Sequence, residues 1–174
     1  MPARHRDEYT EKVLAAILGG NMSSRMFLNV REAKGLCYYI KSGTDDYADT
    51  GVISTSAGVD VKRIDMAIEG ILEQYALIMK EPVGKAELNK AKEFMKGKIV
   101  LRLEDSEEYA HLMGKQALLY SKVEDVERIL EKIDAVTSED ILRLSQSLFV
   151  EDRLRLAIIG PYDKQEHFSK RLHY

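Results

Sequence analysis

Two side chains that could bind a carbonyl group lie seven positions apart in the first third of the chain. Arg31 carries a guanidinium, whose rigid N–H donors suit a carbonyl or a carboxylate. Tyr38 carries a phenol, which donates one hydrogen bond to a carbonyl oxygen as negative charge develops there. An ordinary interpretation is also open, in which Arg31 is solvated beside Glu32 and Tyr38 is half-buried on a strand. Composition alone favours the ordinary interpretation.

The stretch 18–38, LGGNMSSRMFLNVREAKGLCY, supplies the elements that would position both side chains. Gly19 and Gly20 are predicted to end a helix, because glycine adopts the left-handed C′ conformation without steric cost. Ser23 or Ser24 is predicted to cap a short helix that follows. A further glycine ends that helix before a strand begins. The arginine therefore lies near a helix end and the tyrosine on the next strand, where both could face the same space.

The period of the apolar residues predicts three strands and about seven helices. Residues 36–58 alternate with a period of two on either side of Asp49-Thr50-Gly51, which predicts a β-hairpin whose first strand runs to about Tyr47. This alternation groups Tyr38 with Leu36 and Ile40. Other elements are predicted as helices starting near Asp7, Asp60, Lys85, Leu103, Val123 and Thr137, a third strand from Leu154 to Ile159 and a peripheral helix in the tail.

This order of elements predicts an α+β fold with two layers, in which helices pack on one face of a small, mostly antiparallel sheet. A length of 174 residues fits one domain over 1–174, and we find no repeat or linker that would divide it. Tyrosines and aspartates around the hairpin are explained by packing and turn chemistry, so they receive no role. They are Tyr39, Tyr47, Asp45, Asp46 and Asp49.

Composition and charge argue against several classes of function. The net charge of -3, without a basic run, argues against nucleic acid or an anionic membrane as partner. Cys37 is the single cysteine, which excludes an internal disulfide, and its apolar neighbours favour an inert thiol. We find no signal peptide and no apolar run long enough to cross a bilayer, so the predicted location is cytoplasmic. A fragment of a longer chain would, however, have lost its targeting signal.

The pattern LGG-x-M-S-S-R-x-F-x-x-x-R-x-x-x-G-L-x-Y over residues 18–38 resembles the second half of the insulinase/pitrilysin-type metallopeptidases. That family carries the inverted zinc motif H-x-x-E-H in its other half. The resemblance continues through the break at Pro82 and through Ile133-Asp134-Ala135-Val136-Thr137 to Pro161. It implies the two-layer fold, in a domain that pairs with a homologous one. It also implies that Arg31 and Tyr38 contact a peptide substrate across the closed cleft.

The chain itself lacks the zinc motif of that family. His5 and Glu8 match its first histidine and its glutamate, but Tyr9 occupies the position of the second histidine. A protonated phenol is a poor zinc ligand, so we expect a chance match rather than a degenerate metal site. The other histidines, which show no ligand spacing, are His111, His167 and His173. We therefore expect no metal in this chain, no activity of the isolated chain, and zinc in the complete enzyme.

Two functional hypotheses follow from the resemblance. The first is the carboxy-terminal, non-metal half of a peptidase that hydrolyses unfolded peptides, with a homologous H-x-x-E-H-bearing domain or subunit as partner. The second is a non-catalytic peptide-binding or scaffolding subunit of the same family. An unrelated α+β domain would require the long motif to be a coincidence.

The start of the chain departs from the family pattern. In the family this half begins with a strand that leads into the first helix, whereas this chain begins almost at that helix. We therefore expect a fragment of a longer chain that lacks its first strand. A missing strand leaves backbone groups unpaired at a sheet edge, which predicts a homo-oligomer through that edge.

Overall fold

The α+β fold predicted from the sequence is confirmed. The computed structural model describes residues 5–121, 123–163 and 165–173. Within them, helices pack against one two-stranded antiparallel sheet. The elements are α1 (Glu8–Gly19), a π-helix (Met26–Ala33), β1 (Cys37–Asp46), β2 (Gly51–Val59), a 3₁₀ turn (Val61–Arg63), α2 (Ile64–Ile78), α3 (Lys85–Arg102), α4 (Ser106–Tyr120), α5 (Val126–Asp134), α6 (Ser138–Leu148), a second 3₁₀ turn (Glu151–Arg153) and α7 (Gln165–Ser169).

The hairpin forms where the alternating residues predict it, and its inner face carries a chain of hydroxyl groups. Ser42 lies opposite Thr55 in the register. Their side-chain oxygens are 2.7 Å apart, and the Thr55 hydroxyl lies 2.6 Å from the Tyr75 hydroxyl on α2. Burial raises the pKa of Tyr75, so the phenol stays protonated and available to this chain of hydrogen bonds. The hydroxyl groups thereby connect both strands to α2.

Helix α1 is the central element of the core and contacts both strands and α3, α5 and α6. Burial of each large apolar side chain stabilises the fold by about 1.5–3 kcal/mol. The fully buried apolar residues of α1 are Val13, Leu14 and Leu18. Because α1 packs across β1, it determines where the first strand, and hence the turn before it, lies.

Helix α1 ends at its glycines, but for a different reason from the one predicted. Gly20 has a right-handed conformation (φ -79°), so the predicted left-handed C′ geometry is wrong. The close approach of β1 explains why the neighbouring residue is a glycine, because a Cβ atom on Gly19 would lie 2.3 Å from the backbone nitrogen of Ser42. The predicted caps at Ser23 and Ser24 are wrong as well. Both side chains bond to Asn21 in the turn.

The predicted third strand from Leu154 to Ile159 is wrong. Leu154 and Ile158 pack on the core, which accounts for the apolar pattern. A strand also needs a neighbour that completes its backbone hydrogen bonds. Within the described ranges, residues 155–159 make no backbone–backbone hydrogen bond, and Ile159 is fully exposed. The segment is therefore an apolar stretch that pairs with no strand among the described residues.

Side-chain caps lie at two of the predicted helix starts, one of them at the 3₁₀ turn that leads into α2. Asp60 accepts a hydrogen bond from the backbone of Lys62 (2.8 Å) before α2. Thr137 and Asp140 form a reciprocal capping box at α6. Among the helices of the described ranges, none is long and apolar enough to cross a membrane.

An ion pair joins the start of α1 to α6. Asp7 is buried, and each of its carboxylate oxygens accepts a hydrogen bond from the Arg143 guanidinium. The distance from Arg143 Nη1 to Asp7 Oδ2 is 3.2 Å. These hydrogen bonds hold the pKa of Asp7 below its ordinary value of 3.8, although burial opposes the effect. The pKa of Asp140 is also lowered, chiefly by its hydrogen bond from Thr137.

We expect Asp7→Asn to destabilise the fold at neutral pH by about 1–3 kcal/mol, the size of a charge-assisted hydrogen bond. Because the folded pKa is lowered, the wild-type contribution is complete above 3.8 and disappears as the pH falls through the folded pKa. Urea unfolding at neutral pH and below 3.8 measures this, with Asp49→Asn on the exposed turn as control. An equal loss at both pH values would contradict the role of the charge.

Candidate functional site

Arg31 lies on a π-helix, which replaces the short regular helix expected before the strand. A π-helix has i→i+5 hydrogen bonds and a wider turn than an α-helix, and such turns are rare and often occur at functional sites. Met26 and Val30 are fully buried on its inner side. Arg31 follows Val30, and its side chain is 35% exposed. The wide turn thus anchors one face in the core and directs the guanidinium towards the surface.

Two polar contacts from distant parts of the chain hold the π-helix. At its start, Arg25 donates two hydrogen bonds to the Glu87 carboxylate on α3 (2.8 and 2.9 Å). Along its length, the Asn29 amide donates to the side-chain oxygen of Gln74 on α2 (2.9 Å). Gln74 is buried, so losing its partner would leave a desolvated polar group. These contacts fix the turn against α2 and α3.

Tyr38 lies in a β-bulge at the start of β1. Cys37 pairs with Val59 and Tyr39 pairs with Gly58, so Tyr38 is the extra residue between them. A bulge breaks the two-residue alternation and redirects side chains. The expected grouping of Tyr38 with the buried residues of its strand is therefore wrong, and its side chain is 74% exposed. Its hydroxyl meets no hydrogen-bond partner in the described part of the chain.

Arg31 and Tyr38 are brought together by a hydrogen bond to the backbone. Arg31 Nε donates to the Tyr38 carbonyl oxygen (2.9 Å), and Arg31 Nη1 donates to the Glu32 carboxylate (3.0 Å). The guanidinium carbon also lies 4.5 Å from the centre of the Phe27 ring, within cation–π range. Two of the five N–H donors of the guanidinium are thus used, and the others have no partner among the described residues.

The turn between these residues is held by an arginine that sequence reasoning did not single out. Gly35 has a left-handed conformation (φ 58°), as expected for the glycine that ends the helix. Arg63 donates to the carbonyl oxygens of Gly35 (2.6 Å) and Lys34 (3.0 Å). The contact spans 28 positions of sequence, so no local motif could have indicated it.

The cysteine beside the site is not activated. Cys37 is half-buried, and burial raises the pKa of its thiol even though the charge of Arg31 opposes this. A thiol with a raised pKa stays protonated at neutral pH and is a poor nucleophile. The predicted inert character of Cys37 is therefore supported.

His5 and Glu8, the two residues that match the zinc motif, already have other partners. His5 Nδ1 accepts a hydrogen bond from the Asp7 backbone (3.2 Å), and the Glu8 carboxylate is paired with Lys12. Across residues 5–121, 123–163 and 165–173, no three side chains of histidine, cysteine, aspartate or glutamate are grouped to bind a metal. The residues at the candidate site therefore supply hydrogen-bond donors for a carbonyl oxygen, and they supply neither an activated nucleophile nor a metal site.

This fold and this pattern have counterparts in known proteins. The family model of the peptidase M16 inactive domain matches residues 1–95, and the chain belongs to this family. The insulinase-type resemblance, carboxy-terminal domain included, is thereby confirmed. Two similar relatives are described as uncharacterised zinc proteases. The one from Bacillus subtilis is 36% identical over 90% of this chain, and the one from Mycobacterium leprae is 34% identical over 92%.

The chain spans only 38% and 36% of the lengths of these two relatives. Solved structures share the fold at lower identity. A conserved protein from Enterococcus faecalis matches 84% of this chain and 34% of its own, with a TM-score of 0.76 and 23% identity. A peptidase M16 inactive domain from Pseudomonas fluorescens matches 84% of this chain and 35% of its own, with a TM-score of 0.75 and 18% identity. At these identities the structural matches establish the fold alone.

Proposed function

We propose that this chain is the substrate-binding, non-metal half of a zinc-dependent peptidase that hydrolyses peptide bonds in unfolded peptides. The proposal rests on one observation above all. The Arg31 guanidinium and the Tyr38 phenol lie at one exposed turn, and both keep donors without a partner among the described residues. A peptide backbone in extended form offers carbonyl oxygens that match such donors.

The two side chains would divide the work of holding the substrate. Arg31 is steadied by Phe27 and by the Tyr38 carbonyl, so its remaining donors are oriented before the peptide arrives. Preorganised donors lose less entropy on binding than freely rotating ones. Tyr38 donates a single hydrogen bond from its hydroxyl. Together they position the peptide and stabilise negative charge on the carbonyl oxygen in the transition state.

In this proposal, zinc and its activated water belong to another domain or subunit, and that domain or subunit carries H-x-x-E-H. Relatives described as zinc proteases support this division, because this chain spans little more than a third of their length. When bound there, zinc would activate the attacking water, and the glutamate of the motif would act as general base. The partner of this chain is accordingly a homologous metal-bearing domain. Location in the cytoplasm stays a prediction from the sequence.

The proposal is tested by titrating the chain with an unstructured, fluorescently labelled peptide and measuring anisotropy. We expect saturable binding, and Tyr38→Phe should weaken it by about two- to tenfold, the value of one neutral hydrogen bond. Tyr47→Phe is the matched control, since Tyr47 is also an exposed tyrosine of the hairpin region. Absence of binding, or equal loss in both variants, would contradict the proposal.

A second candidate function is a non-catalytic peptide-binding or scaffolding subunit. The lack of a fitting metal group in the described residues is compatible with it as well as with the first. The two differ in the partner. If the copurifying homologous domain has H-x-x-E-H and the complex cleaves the peptide, the peptidase is supported. If the partner lacks the motif and the complex binds without cleavage, the scaffolding role is supported.

Self-association is a further proposal, carried by residues 155–159, which make no backbone–backbone hydrogen bond within the described part of the chain. Free backbone groups beside exposed apolar side chains invite pairing with a strand from a second copy. We expect light scattering to detect dimers as concentration rises, and Ile159→Lys to shift the equilibrium towards monomers. Leu118→Lys, on the exposed side of α4, is the control and should change little. A monomer at every concentration would contradict this proposal.

A further inference from the structure

One partly exposed arginine, Arg63, makes hydrogen bonds to the segment that carries the candidate site. Arg63 ends the 3₁₀ turn before α2, and its two terminal nitrogens donate to consecutive carbonyl oxygens, those of Lys34 and Gly35. These carbonyls lie between Arg31 and Tyr38 in the chain. Gly35 is the one described glycine with a positive φ, so this is the point where the backbone reverses from helix to strand.

The backbone on either side of Arg63 is held by contacts from the carboxy-terminal segment. The Tyr162 hydroxyl donates to the carbonyl oxygen of Val61 (3.4 Å), two positions before Arg63. Two positions after it, the Asp65 carboxylate lies 2.8 Å from His167 Nε2 and 3.2 Å from an Arg171 nitrogen. Contacts on both sides therefore keep the 3₁₀ turn and the first turn of α2 in place.

From this arrangement we infer that Arg63 is a positioning residue for the peptide-binding site. It fixes the backbone between Arg31 and Tyr38, and with it the separation of the two donors. The expected effect on peptide affinity rests on the proposed function. The expected effect on the turn concerns the free chain and does not depend on peptide binding. Arg63 touches neither reacting atoms nor metal, so it acts only through the turn.

Arg63 restricts the backbone at Gly35. Glycine has more accessible backbone conformations than any other residue, so Gly35 gains freedom when its carbonyl loses a charged donor. The Tyr38 carbonyl, which accepts from Arg31 Nε, lies three residues further along the chain. Movement at Gly35 would therefore weaken that hydrogen bond and release the guanidinium. The cost to global stability is small, because the contact lies on the surface.

The experiment compares Arg63→Ala with wild type in two measurements. Hydrogen exchange of the Arg31 Nε–H, followed by NMR in the free chain, should become several-fold faster, since its acceptor is no longer fixed. The signal is assigned by its absence in Arg31→Lys. Peptide affinity should fall by about three- to tenfold, within the range of one or two surface hydrogen bonds to a charged group, while the unfolding midpoint stays unchanged.

Arg155→Ala provides the matched control. Like Arg63, Arg155 donates to two backbone carbonyls, those of Asp152 and Leu154 (2.8 Å each), and it lies away from the site. It should leave both measurements unchanged. Asp65→Asn, which weakens the contacts of the carboxy-terminal segment, should shift both in the direction of Arg63→Ala.

Two outcomes would overturn the inference, and a third separates it from the proposed function. Unchanged exchange at Arg31 in Arg63→Ala overturns it, and so does an equal effect of Arg155→Ala. If exchange at Arg31 responds as expected but the wild-type chain binds no peptide, the proposed function fails while the positioning of Arg31 by Arg63 stands.

Discussion

Replacing Arg31 by alanine is expected to reduce peptide affinity by about ten- to a hundredfold. This is the range for losing hydrogen bonds from a charged donor. The variant removes the free donors and also the hydrogen bond to the Tyr38 carbonyl, so the backbone of the bulge loses a contact as well. Stability should change little, because Arg31 is partly exposed and its ion pair with Glu32 lies at the surface.

Two control variants test whether the effect is specific to the Arg31 guanidinium. Arg31→Lys keeps the charge but loses the planar fork, so it should restore only part of the affinity. Arg128→Ala removes an exposed arginine of α5 that pairs with Glu131, and it should bind like wild type. Anisotropy titrations of the three variants with one peptide measure the differences. Wild-type affinity in Arg31→Ala would show that the guanidinium does not contact the peptide.

Gly19→Ala is expected to have the largest effect on stability. Its Cβ atom would lie 2.3 Å from the backbone nitrogen of Ser42, and backbone cannot move aside as a flexible side chain can. Overpacking of this kind costs about 1–3 kcal/mol, occasionally more. Ser42 also takes part in the hydroxyl chain to Thr55, so a displaced strand would weaken that contact too. Urea unfolding followed by circular dichroism measures the loss.

Gly97→Ala is the matched control for the same substitution. Gly97 lies within α3, and a Cβ atom there would meet nothing within 4 Å. Because glycine is a poor helix former, alanine should stabilise this helix by about 0.5–1 kcal/mol. The two substitutions should therefore have opposite signs. Equal effects would mean that α1 and β1 are not packed as closely as the structure has them.

The elements with strong local signals were predictable from the sequence. The hairpin follows from its alternation and its turn, and α6 follows from the capping box of Thr137 and Asp140. In these elements the residues that determine the conformation are neighbours in the chain. Arg31 and Tyr38 were found through the family pattern, since their types and spacing also allow an ordinary surface role. The family itself is confirmed by the match to the peptidase M16 inactive domain.

The irregular features around the site could not be predicted. An α-helix and a π-helix differ by one residue per hydrogen-bonded turn, and the contacts that hold the π-helix here come from 45 and 62 positions away. The bulge at Tyr38 likewise depends on the register against β2. Both irregularities change where the two key side chains point. The sequence therefore indicates Arg31 and Tyr38 as candidate site residues, but it does not predict how exposed they are.

The apolar segment from Leu154 to Ile159 was predicted as a strand, but it is not one in the structure. Its pattern is that of a strand, but strand formation depends on a partner outside the segment. In the described ranges the sheet has two strands, and neither pairs with this segment. The local pattern therefore predicted a strand, but no strand among the described residues lies beside the segment to form its backbone hydrogen bonds.

The central claim is that this domain binds peptide through its own side chains and without a metal of its own. The most direct test measures peptide affinity of the purified chain before and after dialysis against EDTA, with zinc determined in both samples. We predict equal affinity in both samples and no stoichiometric zinc in either. Stoichiometric zinc before dialysis, together with loss of binding after it, would contradict the account and would point to a metal site that includes His5 and Glu8.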